Sequence, residues 1–165
     1  MAVEHADALA ELLCNAEVYR FIGDGPPSLE RHRQRVRSQV SGPPPELAHE
    51  EWLNLVVRSR QSGELLGQLQ ATIHHRLAEV AFLFGPAHWG KGYAREALAW
   101  LNGLLLARPE KLSLWATALP ANQRSCNLLR RCGYVEVTPP HSVRLLSYDE
   151  GDLVFRHELS RDGDP

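Results

Sequence analysis

Apolar positions along the chain switch between two periods, and the switches outline its elements. Ala78-Glu79-Val80-Ala81-Phe82-Leu83-Phe84 is a short apolar run that reads as a buried strand. Beyond it, Ala94, Ala97, Leu98, Leu101, Leu104 and Leu105 recur at helical spacing. Upstream, His5 to Asn15 reads as a first helical stretch. A loop, Gly23 to Ser28, then leads into a second helix that Ser28 can cap. That helix carries Arg31, Arg33, Arg35 and Arg37, with Val36 and Val40 as its few apolar contacts. It reads as a solvated face, with a contact to an anionic ligand as the alternative. Ser41-Gly42-Pro43-Pro44-Pro45 is a stiff connector.

Trp52 to Arg58 and Leu65 to His74 alternate in part around the turn Gln61-Ser62-Gly63-Glu64, which predicts a hairpin. Gly67 inside the second run marks a bulge or a close backbone approach. Leu112 to Ala118 is the next strand, followed by a helix with Asn122 as N-cap and Gly133 just past its end. Leu128, Leu129 and Cys132 form its buried stripe. Strands are then expected over Tyr134 to Val137, Val143 to Leu146 and Leu153 to Leu159. Between them lie a Pro139-Pro140-His141 loop and an acidic turn at Asp149-Glu150-Gly151-Asp152. A frayed tail from Ser160 to Pro165 ends the chain. Helices and strands in this mixture give an α/β (α+β) class.

Composition narrows the function classes. A chain of 165 residues, 44% hydrophobic and 23% charged, is expected to form one compact domain over 1–165 with a proper core. A net charge of −2 gives no reason to expect nucleic acid. Three cysteines without paired spacing argue against a disulfide framework and against a metal site. No apolar run is long enough for a membrane span, and the N-terminus has no signal-like apolar core, so the cytoplasm is the expected compartment. Monomer and homodimer both stay open.

Candidate chemistry concentrates where the buried strand hands over to the long helix, at His88-Trp89-Gly90-Lys91-Gly92-Tyr93-Ala94-Arg95. Glycine lets the backbone turn sharply and lets a ligand approach it. The first amides of a helix have no internal partner and sit at the positive end of its dipole, which suits a phosphate or pyrophosphate. A plain tight turn is the alternative. The nucleotide P-loop pattern is missing, and Arg95 stands where a dinucleotide fingerprint needs its third glycine.

The stretch resembles the acetyl-CoA signature of the GNAT N-acyltransferase superfamily, Gln/Arg-x-x-Gly-x-Gly/Ala. Trp89, Gly92 and Ala94 take its first, fourth and sixth positions. Trp-Gly-Lys-Gly-Tyr-Ala is similar to the form found in the RimJ/RimL ribosomal-protein branch. Further blocks extend the resemblance in order: Asn15 to Ile22, Ala78-Glu79-Val80, and Pro120 to Ser125 with Leu128-Leu129 and Cys132-Gly133-Tyr134. It implies a GNAT fold, a mixed central β-sheet flanked by helices, whose usual first strand is short or missing here. It also implies acetyl-CoA as co-substrate, no metal, and an amine acceptor: a protein N-terminus or a small amine such as a polyamine or aminoglycoside. A non-catalytic acyl-CoA-binding sensor or interaction domain, and a structural module whose glycine loop is only a turn, are the competing readings.

Acetyl transfer to an amine requires deprotonation of the amine, polarisation of the thioester carbonyl and stabilisation of the departing thiolate. By the resemblance, a gap between the family's fourth and fifth strands admits the pantetheine arm against the backbone of Phe82, Leu83 and Phe84. The amides of Gly90, Lys91, Gly92, Tyr93 and Ala94 hold the pyrophosphate, beside Trp89, and Asn122 bonds the arm. The tyrosine that many members use as acid falls on Leu129 here, and the resemblance offers the Ser125 hydroxyl instead. Glu79 is the best-placed base if burial raises its pKa, with a surface or ion-paired glutamate as the alternative. Asp149, Glu150 and Asp152 are second choices. His74 and His75 point to opposite faces of a strand, a poor chelate, though one of them can face the acceptor. Cys126 and Cys132 lack a histidine partner by motif and read as inert thiols, which argues for direct attack in a ternary complex.

Overall fold

The computed structural model describes residues 1–23, 25–138 and 140–158. Among these, six strands form one mixed sheet: β1 (Glu51–Arg58), β2 (Leu65–His74), β3 (Leu77–Phe84), β4 (Ser113–Ala118), β5 (Tyr134–Glu136) and β6 (Leu153–His157). Their spatial order is β1-β2-β3-β4-β6-β5. All neighbours run antiparallel except β3 and β4. The flanking helices are α1 (Ala6–Leu13), α2 (Leu29–Ser41), α3 (Tyr93–Leu106) and α4 (Gln123–Arg131). No described helix is long and apolar enough to cross a membrane.

The expected caps are in place. Ser28 Oγ accepts from Arg31 N at 3.2 Å, and Asn122 Oδ1 accepts from Ser125 N at 3.2 Å. Gly133 follows α4 at φ +85°, the left-handed conformation that ends helices. No strand precedes α1 among the described residues; a short 3₁₀ turn, Val3–His5, leads into it. β3 and β4 therefore stand where the resemblance places the family's fourth and fifth strands.

The two faces of the sheet differ. Leu69, Ala71, Ile73, Ala78, Val80 and Phe84 pack with Leu98, Leu101 and Leu105 of α3 and Leu129 of α4 into the main core. On the opposite face, Val56, Leu65 and Leu83 pack with Leu9 and Leu13 of α1 and Val36 of α2. Most of the rest of that second face is polar, with Asn54 on β1, Gln70 and Thr72 on β2 and Glu79 on β3, beside Trp52 and Ala81.

Gly67 fulfils both of its readings. Val57 pairs with Gly67 and Arg58 with Leu65, so Leu66 is the extra residue of a bulge. The bulge inverts the alternation, sending Leu65 to the second cluster and Leu66 to the main core. A Cβ on Gly67 would also lie 2.9 Å from the Phe84 Cα, a backbone atom that cannot swing aside. Gly67→Ala is expected to cost about 1–2 kcal/mol of stability through overpacking, read as a lower urea midpoint with unchanged slope.

Two expected strands differ from the structure. Val143 to Leu146 is not a strand. Val143 N bonds the Pro140 carbonyl, and Leu146 N donates to the Glu79 carboxylate, so these amides are not available for a ladder. Both edges of β4 are already occupied, by β3 and β6. The last strand ends at His157; Leu159, the expected tail from Ser160, Asp24 and Pro139 lie outside the described residues.

Candidate active site

The parallel pairing of β3 and β4 is brief. Leu77, Ala78 and Glu79 face Ser113, Leu114 and Trp115, and the strands then part. β3 runs on through Val80–Phe84, and β4 turns to β6. The opening leads into a cavity of about 620 Å³ walled by Phe82, Leu83 and Phe84, the loop and first turn of α3, and the first turns of α4.

The loop before α3 is shaped by glycine. Gly90 and Gly92 sit at φ +73° and +86°, and a Cβ on either would meet nothing within 4 Å. The requirement is conformational, and the space beside them is open. Among the described residues the amides of Gly90 through Arg95 find no protein acceptor; the first bond of the helix runs from Glu96 N to the Gly92 carbonyl at 3.0 Å. Helix dipole and free amides converge on the cavity. Four arginines, Arg20, Arg95, Arg124 and Arg131, line it against one carboxylate, Glu17. Trp89 Nε1 donates to the Phe84 carbonyl at 2.7 Å, and the Arg124 guanidinium stacks 3.7 Å above the Trp89 ring. Trp89 thereby fastens the loop to β3 and holds an arginine over the cavity.

Of the expected coenzyme residues, Phe82, Leu83, Phe84, Trp89, Gly90, Gly92, Ala94, Asn122 and Ser125 line this cavity. The side chains of Lys91 and Tyr93 do not, Lys91 being exposed and the Tyr93 ring packing edge-on against His88, so these two offer only their main-chain amides. Asn122 spends its Oδ1 on the α4 cap and keeps its amide N–H₂ to donate. Ser125 is half-buried, and its hydroxyl has no partner among the described residues.

Glu79 departs from its expectation. The carboxylate is 5% exposed and accepts four hydrogen bonds. Leu146 N and His74 Nε2 reach Oε1 at 2.7 and 2.5 Å; Ser147 N and Ser147 Oγ reach Oε2 at 2.9 and 2.5 Å. Burial alone pushes its pKa up, but the Ser147 hydroxyl, the Leu146 and Ser147 amides and His74 together hold it below the ordinary value. The premise of a burial-raised base is overturned, because donors that favour the charged form surround it. His74 is spent on this carboxylate. His75 is exposed in the β2–β3 turn at φ +44°. Asp149, Glu150 and Asp152 line neither this cavity nor the second one.

That second cavity, about 450 Å³, lies between α2 and the polar part of the sheet, with Glu79, Val80 and Ala81 in its wall. The two cavities thus divide β3 between them: residues 79–81 face one and residues 82–84 the other.

Residues 1–135 match the sequence profile of the acetyltransferase (GNAT) domain. The chain belongs to the GNAT acetyltransferase family. Among solved structures it is similar to a GNAT-family acetyltransferase from Bacillus anthracis at TM-score 0.76 and 18% identity, covering 94% of this chain and 90% of that one. The aminoglycoside acetyltransferase AAC(6')-Ib, solved with coenzyme A, matches at TM-score 0.70 and 19% identity over 94% and 90%. A candidate ribosomal-protein-serine acetyltransferase from Vibrio cholerae matches at 0.71 and 20% over 94% and 89%. No curated protein matches in sequence.

Leu129, the position expected for the acid tyrosine of many members, is 1% exposed in the core and does not line the larger cavity. Cys126 and Cys132 carry pKa values pushed up by burial, the reverse of an activated thiolate. Arg20, Arg124 and Arg131 carry no role in the expectations from sequence, where Arg95 figures only as the missing glycine. The available signal was position: Arg124 and Arg131 share a helix with Asn122 and Ser125, and Arg95 follows the glycine loop.

Proposed function

We propose that this protein transfers the acetyl group of acetyl-CoA to a primary amine by direct attack in a ternary complex. The observation that carries the reading is the division of β3 between two cavities at the point where it leaves β4. A thioester laid along residues 82–84 brings its carbonyl beside the cavity that holds the amine, which is what in-line attack requires. Acetyl-CoA fits the larger cavity by chemistry. The free amides of residues 90–95 and four arginines match its phosphates, and the unpaired edge of β3 matches the amides of its pantetheine arm.

The amine nitrogen bonds to the thioester carbon, the carbon–sulfur bond breaks, and the nitrogen's proton passes to water in the open acceptor cavity. The Ser125 hydroxyl donates to the departing sulfur. Glu79 positions the 146–147 segment that borders the acceptor. The RimJ/RimL-like branch supports, by motif, an acceptor that is an amine of amino-acid origin.

Calorimetric titration of the native protein with acetyl-CoA is the test, followed by thiol release with a panel of amines. Saturable binding is expected, with Ser125→Ala keeping the affinity and lowering kcat about 10- to 100-fold. Absence of binding by folded protein overturns the reading. Binding with no turnover on any amine makes the domain an acyl-CoA-binding module.

A further inference from the structure

The second cavity carries information about the acceptor, and the inference rests on the acetyltransferase reading above. Its wall contains two charged side chains, Arg35 and Glu79. Glu79 is saturated by its four donors. Arg35 differs from its neighbours on α2. Arg33 pairs with Asp7 at 2.6 Å and Arg37 with Glu30 at 2.9 Å, whereas Arg35 meets the neutral Tyr19 hydroxyl and has no carboxylate partner among the described residues. Among the described residues, the cavity therefore offers one cation whose charge no carboxylate balances and no uncommitted anion.

A hydrogen-bond chain fixes a further feature. Asn54 Nδ2 donates to the Gln39 main-chain carbonyl at 3.2 Å, and Gln70 Nε2 donates to Asn54 Oδ1 at 2.7 Å. A main-chain carbonyl only accepts, so it sets the orientation of Asn54, and Asn54 in turn sets that of Gln70. Gln70 Oε1 is left as an acceptor without a partner among the described residues. Gln70 pairs across the ladder with Ala81, next to Phe82, where the coenzyme cavity begins. Trp52 adds an aromatic wall, its indole N–H already given to Glu50.

We infer that the acceptor is an amino-acid-like amine that carries a free carboxylate. Its amino group is held by Gln70 Oε1, across the ladder from Ala81, and its carboxylate by Arg35. A guanidinium matches a carboxylate with two parallel N–H donors. A polyamine or aminoglycoside brings further ammonium groups, and no free carboxylate among the described residues lines the cavity to receive them. Discrimination thus comes from an attractive contact for the anion and the lack of one for the extra cation.

The test uses the full chain with acetyl-CoA, reading thiol release for common α-amino acids, their carboxamides and spermidine. The carboxamide keeps the amine and deletes the charge, and it also imitates a peptide N-terminus. The best amino acid is expected to exceed its carboxamide and spermidine in kcat/KM by about 10-fold or more, the scale of one hydrogen-bonded charge contact. Arg35→Ala is expected to abolish that difference, and acetyl-CoA titration of the same variant should be unchanged. Gln70→Leu is expected to raise KM for every amine. Preference for spermidine, or equal use of acid and carboxamide, overturns the inference. So does coenzyme binding without turnover of any amino acid. Loss of acetyl-CoA binding in the native protein overturns the underlying function instead, so the two failures are distinct.

Discussion

Gly92→Asp is expected to lower acetyl-CoA affinity by about 100-fold or more, because juxtaposed like charges cost several kcal/mol. Gly92 is the N-cap of α3 at φ +86°, and a Cβ there points into open space. The new carboxylate therefore projects beside the free amides where a pyrophosphate belongs, competing for them and repelling the ligand. Aspartate is among the side chains that visit left-handed backbone, so the fold is kept at a strain cost of about 1 kcal/mol. Gly92→Ala is the control. It carries the same Cβ without the charge and is expected to cost about 1 kcal/mol of stability with a smaller loss of affinity. Calorimetry on both variants, with circular dichroism to verify the fold, separates charge from strain. Equal, small losses in both would mean that the phosphates lie elsewhere, most directly among Arg20, Arg95, Arg124 and Arg131.

The wall of the larger cavity was legible in the chain because its determinants are local. Glycines that turn a strand into a helix, the N-cap at Asn122 and the apolar run of β3 are all readable from consecutive residues. The hairpin and the bulge at Gly67 were legible for the same reason. Residues whose environment depends on distant segments were not. Glu79 looks like a buried acid in need of a proton until Leu146 and Ser147 arrive from 67 and 68 residues away to hold it as a carboxylate. The same contacts explain why Val143 to Leu146, which alternates like a strand, is not one. Arg35 is indistinguishable by sequence from Arg33 and Arg37. Only the packing of α2 on α1 pairs Arg33 with Asp7 and leaves Arg35 over the polar cavity.

Glu79→Gln is expected to destabilise the protein by about 3 kcal/mol at neutral pH, since buried donors lose their acceptor. A carboxylate accepts on both oxygens, whereas glutamine has one oxygen and an N–H₂ that only donates. If the N–H₂ takes the place of Oε1 it faces Leu146 N; if it takes that of Oε2 it faces Ser147 N. Either way a main-chain N–H is left without a partner. The native protein should also lose stability in acid. The folded pKa of Glu79 lies below its unfolded value, so the unfolded state binds the proton first. The stabilisation is complete above the ordinary glutamate range and is lost as pH falls through the folded pKa. Urea melts from pH 7 down to about pH 3 should show this decline in the native protein and a flatter profile in Glu79→Gln. Kinetics then separates positioning from base catalysis. If Glu79 fixes the 146–147 segment, the variant raises KM for the amine and leaves acetyl-CoA affinity unchanged. A variant that keeps its urea midpoint and loses kcat at every pH would make Glu79 the base after all. The four donors around the carboxylate argue for the first outcome: a group held so firmly as an anion has little affinity for the proton of an ammonium.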